Sequence, residues 1–277
     1  MDKKPLSTKS EKSIWFRFFA VLFALAGLIM LEGLTEGLEP WIRSALAFDP
    51  HPEELRFHGA VHGALIGVLL SGSLFILLWR PLAKPLLVRF YFVGHLIFLG
   101  TLAATGPAFA LTRFPIFVLF GILLAVLYFA YGNRREILRP TEPANLDRPM
   151  LVLSIVALLG LLPFLINGAV QQFQETEEQF RWGEGTALAL TLIYGSFMVS
   201  TARKGAGALG LLLSFTYMYM GAAALALPDH EASWGIGGGS AAIVYGCVYA
   251  VFALRLMRKS GAVPAARELA QELDQQA

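Results

Sequence analysis

Charge is what this sequence has least of. Only 15% of its 277 residues are Asp, Glu, Lys or Arg, against 56% hydrophobic ones, whereas soluble domains carry charge on about a quarter of their residues. That scarcity, with a mean hydropathy of +0.60, makes lipid the solvent for most of the chain. Cysteine is nearly absent too. Cys247 stands alone, so no disulfide and no cysteine-based metal site can form within one chain. Gly-x-Ser-x-Gly, His-Glu-x-x-His and Walker motifs are missing, as is any polar stretch large enough for a nucleotide-hydrolysing domain. No catalytic residue is therefore assigned. A net charge of only +2, built from basic residues spent on orientation, gives no footprint for nucleic acid.

What is abundant is apolar runs near the length that crosses a bilayer, roughly 20 residues. Eight such spans are expected, near 14–34, 57–79, 86–105, 113–132, 150–168, 185–202, 206–227 and 238–257. Long apolar runs must satisfy their backbone internally, and the ten-residue alternation of a β-barrel is absent, so the expected fold is all-α, a polytopic membrane protein with eight transmembrane helices. The basic residues test that count. Eighteen of the 22 fall on the two termini and alternate connections; only Arg43, Arg56, Arg113 and Arg181 fall on the others. Basic residues stay on the cytoplasmic side, which places both termini in the cytoplasm of a bacterium with its spans in the inner membrane. Trp15 and Trp79 at inner boundaries and Trp41, Trp182 and Trp234 near outer ones agree with this map. The first apolar run continues past Ala24-Leu25-Ala26 to Met30, longer than a signal-peptide core, and reads as an uncleaved anchor.

The expected organisation is a short cytoplasmic segment (1–13), a membrane domain (14–258) and a cytoplasmic helical tail (259–277). The polar connection 133–149 divides the spans four and four. At an offset of 123, Gly72-Ser73 and Arg80 align with Gly195-Ser196 and Arg203, suggesting two parallel repeats, 14–135 and 148–258. An interfacial helix is expected within 35–56 and a helical extension over 171–181.

The acidic residues are biased the opposite way to the basic ones: twelve of 20 lie on the outer side, with His51, His58, His62 and His230. His58 and His62, four apart, share one helix face. Beside them Gly59, Gly63 and Gly67 form a small-residue row that admits a second helix, or a second copy of the chain, at close range. His95 sits in the middle of span three, where an ionisable group is costly without a role or a partner. Glu32, Glu36 and Glu39 end span one at helical spacing, and Glu184 opens span six. Tyr194, Tyr217, Tyr219, Tyr245 and Tyr249 gather in the second half, with Tyr217 and Tyr219 on different faces. Asp229-His230-Glu231 and the glycines after Trp234 read as a turn.

Three functional readings stand side by side. The first is a permease for a small solute or cation, with an acidic, His-containing outer mouth and a pathway through Glu32, Glu36, His62, His95 and Glu184. The second is a haem- or transition-metal-binding protein using His58, His62 and His95, although the second half offers no midspan His to match. The third is a non-catalytic scaffold or accessory subunit that oligomerises through the Gly59, Gly63 and Gly67 face.

Overall fold

The computed structural model describes residues 7–42, 52–174 and 180–276, and every regular element among them is helical. The expected interfacial helix within 35–56 falls largely on residues 43–51, outside the described residues, as does most of the extension after 174. The helices are α1 (Ser7–Leu25), α2 (Thr35–Leu38), α3 (Arg56–His62), α4 (Gly72–Leu78), α5 (Pro85–Thr105), α6 (Pro107–Thr112), α7 (Phe114–Ala130), α8 (Arg134–Leu138), α9 (Arg148–Gln174), α10 (Arg181–Ser200), α11 (Ala206–Ala226) and α12 (Gly235–Gln276). Five helical stretches are long and apolar enough to cross a membrane: Glu53–Leu78, α5, α9, α11 and the first part of α12 to Lys259. Two shorter apolar helices, Ile14–Met30 and Phe114–Ala130, and the more polar α10 lie where the other three spans were expected.

Position in the bundle follows composition. Glu53–Leu78, α5 and α11 bury 67%, 56% and 61% of their most apolar windows, whereas α9 and α12 bury only 22% each. The first three, with α10, form the centre. α10 packs on α3 and α5, and α11 packs on α5 and on Glu53–Leu78. α1 and α7 flank one side; α9 and α12 flank the other, where they pack on α10 and α11. Along α9 and the stretch of α12 up to Leu254, most exposed side chains are apolar, among them Val152, Leu159, Ile166, Val244 and Val251, as a surface facing lipid requires.

The first expected span, 14–34, is not one helix. α1 gives way to a π-helical turn, Ala26–Met30. The backbone then widens: Gly33 N–H donates to Gly27 O (3.1 Å) and Leu34 N–H to Leu28 O (3.1 Å). Glu32 has φ of 55°, the left-handed region, which costs a residue with a side chain roughly 1–2 kcal/mol. α2 resumes at Thr35. The reason lies on the neighbouring helix. Between α3 and α4, residues Gly63–Ser71 are also π-helical, and the two irregular stretches run along each other. A Cβ on Gly67 would stand 2.6 Å from Gly33 O, and one on Gly63 2.3 Å from Gly37 Cα. The glycine row anticipated as a face for a partner or a second copy is thus filled by Gly33 and Gly37 of the same chain.

At the end that carries most of the basic residues, the connection after α8 is strapped to the end of α10. Asn145 N–H donates to Thr201 O (3.1 Å) and Asp147 N–H to Ser200 O (2.9 Å), and Glu142 accepts from the Lys204 backbone N–H (3.0 Å) and pairs with its Nζ (2.8 Å). The tail beyond 259 is no separate helix: α12 continues to Gln276.

Candidate functional site

The opposite, acidic end holds a cluster of charged side chains that are buried or nearly so. α2 brings Glu36, α3 brings His62, and the first turn of α10 brings Arg181 and Glu184. Arg181 and Glu184 are three apart and so lie on one face of α10. His62 Nδ1 lies 2.9 Å from Glu184 Oε1, and Arg181 Nη1 donates to Glu36 Oε2 at 2.8 Å. The second oxygen of Glu184 is buried and has no hydrogen-bond partner. Glu39, also buried, adds a third carboxylate beside Arg181. Burial alone would lower the Arg181 pKa, but Glu36 and Glu184 outweigh it and raise it. The guanidinium is therefore a permanent charge.

His62 Nε2 lies 2.7 Å from the carbonyl oxygen of Leu31, the residue just before the left-handed Glu32. A carbonyl can only accept, so Nε2 carries a hydrogen. The contact between Nδ1 and Glu184 needs a second, whether it resides on the ring or on the carboxyl. The pair thus holds one proton more than a neutral imidazole beside a carboxylate.

His58 and His62 share a helix face but not an environment. His58 stands edge-on to Trp182 (ring centroids 4.8 Å apart) and to His230 (5.5 Å). His230 in turn donates from Nε2 to Glu54 O (2.7 Å). Next to these lies an open cavity of about 520 Å³ lined by Glu53, Glu54, Asp229, His230 and Glu231. Turn 228–234 is braced: the Ala232 N–H donates to His230 Nδ1 and the Gly235 N–H to Ser233 Oγ.

His95 is placed elsewhere. Its Nδ1 donates to Tyr91 O of its own helix at 2.9 Å, and the ring borders a cavity of about 40 Å³ with Leu31, Ser71, Tyr91 and Gly27, room enough for water. His58, His62 and His95 are not brought together, and the described residues contain no group of three or more His, Cys, Asp or Glu able to hold a metal ion. A metal bound at either nitrogen of His62 would displace the hydrogen bond that nitrogen makes, to Glu184 or to Leu31 O. Glu32 lies in the broken turn with its side chain exposed, and Glu36 turns to Arg181, not to His62.

Arg181 escaped sequence reasoning, which counted it only among the exceptions to the charge bias. Its signal was its place one turn before Glu184, since one of only four basic residues expected on the disfavoured side has some other reason to be there. Tyr219 was missed for this site as well: its hydroxyl donates to Gly37 O, and its ring packs on Trp41.

Fold and site together define a class: an all-helical chain, with five helices able to cross a membrane and a buried network of charges at one end. Nothing narrows it further, for the chain matches no protein-family model, no curated protein and no solved structure.

Proposed function

We propose that the protein is an eight-span permease of a bacterial inner membrane, with both termini cytoplasmic, in which the exchangeable proton of the His62–Glu184 pair drives or accompanies passage of a small solute or cation. The observation that carries this reading is the placement of that pair against Leu31, at a break in the first helix. Irregular backbone at membrane depth is tolerated where it is enclosed by protein or lines a cavity, and discontinuous helices mark the binding sites of many transporters. Two observations support the reading: His230, which lines the acidic cavity, stands edge-on to His58, one helical turn before His62, and Leu31, which accepts from His62, also lines the small cavity at His95; the proposed pathway joins Glu36, His62, Glu184 and His95. A four-plus-four organisation is part of the reading: Glu53–Leu78 packs on α11 and α5 packs on α10, contacts that exchange if each half takes the other's place.

The test is proton flux into proteoliposomes that enclose a pH-sensitive dye, driven by a potassium diffusion potential. Wild-type protein should acidify the lumen. Glu184→Gln, which keeps shape but removes the charge, and His62→Ala should each lower the rate at least about tenfold at equal incorporation. Equal rates in all three, or no flux above empty vesicles, would refute the reading.

A further inference from the structure

A second large cavity, about 570 Å³, lies where α9, α11 and α12 meet. Its size falls within the range of small-molecule sites. Four aromatic rings line it, Phe164, Tyr217, Trp234 and Tyr245, and no charged side chain does. The rings are held in place. Trp234 stands edge-on to Phe164 (5.5 Å, 88°) and Tyr217 to Tyr245 (4.7 Å, 79°). The Tyr245 hydroxyl donates to Leu153 O at 2.7 Å, and that of Tyr217 lies 3.3 Å from Ser196 Oγ. With the phenol oxygens tied into the bundle, the cavity offers a guest mainly aromatic surface and aliphatic wall, its polar exceptions being Ser233 and Trp234, whose buried Nε1 has no hydrogen-bond partner. Room comes from small residues: a Cβ added at Gly160 would meet nothing within 4 Å, and Ala241 and Ala242 line the opposite side. From Trp234 to Tyr245 the cavity runs about 16 Å along α12 at 1.5 Å per residue.

Electrostatics select among guests. Aromatic faces are negative and attract cations, most strongly when water is excluded. The turn that ends at Trp234 carries Asp229 and Glu231, which with Glu53 and Glu54 line the neighbouring acidic cavity. These carboxylates attract a cation toward this end of the cavity and repel an anionic amphiphile. α9 and α12 are the two most exposed of the long apolar helices, so the cavity is reached from the lipid side by molecules that dissolve there.

We propose that the cavity between α9, α11 and α12 binds a lipophilic organic cation, its charge delocalised or shielded by apolar groups. This does not rest on the proton-pathway reading. The test uses tetraphenylphosphonium and the purified full chain in detergent, with binding followed by equilibrium dialysis. Saturable binding is expected. Gly160→Phe and Ala241→Phe, each placing a ring in the cavity, should weaken it at least about tenfold without lowering the melting temperature. Neutral triphenylphosphine oxide, close in shape, should not compete. No saturable binding, full affinity in both plugged variants, or competition by the neutral compound would each overturn the proposal. The competition experiment needs no variant and decides the matter should a substitution impair folding.

Discussion

His62 makes two hydrogen bonds that a neutral ring next to an ionised carboxylate cannot make together, and this separates it from the other histidines. His95 needs only one hydrogen, for Tyr91 O, and His230 donates at one nitrogen and accepts at the other. His62→Gln should therefore be informative: its amide NH2 can donate to Leu31 O or to Glu184 but carries no titratable proton, so the fold should persist while flux falls as far as in His62→Ala. At Glu32 the backbone matters more than the carboxylate. With φ of 55° and an exposed side chain, Glu32→Asn should leave both flux and melting temperature near wild type, since Asn tolerates the left-handed region. A β-branched Val there should cost about 1–2 kcal/mol of stability, read from thermal unfolding in detergent.

At the scale of elements, hydropathy located the helices because burial in lipid is a sum over roughly 20 side chains, tolerant of single exceptions. It could not locate the break after Met30, since Leu31, Leu34 and Leu38 keep the segment apolar while the backbone departs from α-helical geometry. A sign of the break was present: Gly33 and Gly37 repeat the four-residue spacing of Gly59, Gly63 and Gly67, and two such rows fit each other. Reading only one row suggested an external partner. The closeness of this seam makes it testable. Gly63→Ala sets a methyl 2.3 Å from Gly37 Cα and 2.9 Å from the Tyr219 hydroxyl, an overpacking that should cost about 1–3 kcal/mol, whereas Gly121→Ala, with nothing within 4 Å, should not destabilise α7. The candidate site was half legible for a related reason. Glu36, His62 and Glu184 stood out as ionisable groups at span ends, but their pairing depends on which helices touch, and hydropathy carries no such information.

For the molecule as a whole, the two ends are held by different means. The acidic end is tied by buried side chains and the basic end by the strap of 142–147 over 200–204. Burial alone would raise the Glu142 carboxyl, yet the hydrogen bonds and charge of Lys204, with Arg203, hold it below its ordinary value. A carboxyl lowered on folding contributes stability above its unfolded value and loses it as pH falls through the lowered one. Acidification past the usual carboxylate range should therefore loosen the strap. Limited proteolysis within 139–147 should accelerate there, by no more than the ~1 kcal/mol an exposed ion pair is worth, and Glu142→Gln should be loose already at neutral pH. The proposed orientation has its own check: in a Cys247→Ser background, a cysteine at Asp229 should react with an impermeant maleimide applied outside intact cells, and one at Pro143 only after lysis.

The glycine seam carries a mechanical consequence. Where Gly33 and Gly37 meet Gly63 and Gly67, main chain lies on main chain, with no interlocked rotamers to resist a shift of register. The segment is instead latched at a few points: His62 on Leu31, Tyr219 on Gly37, and Arg56 on the carbonyls of Glu39 and Pro40. A single proton bears on one of those latches: once it leaves, His62 has one N–H to serve both Leu31 O and Glu184.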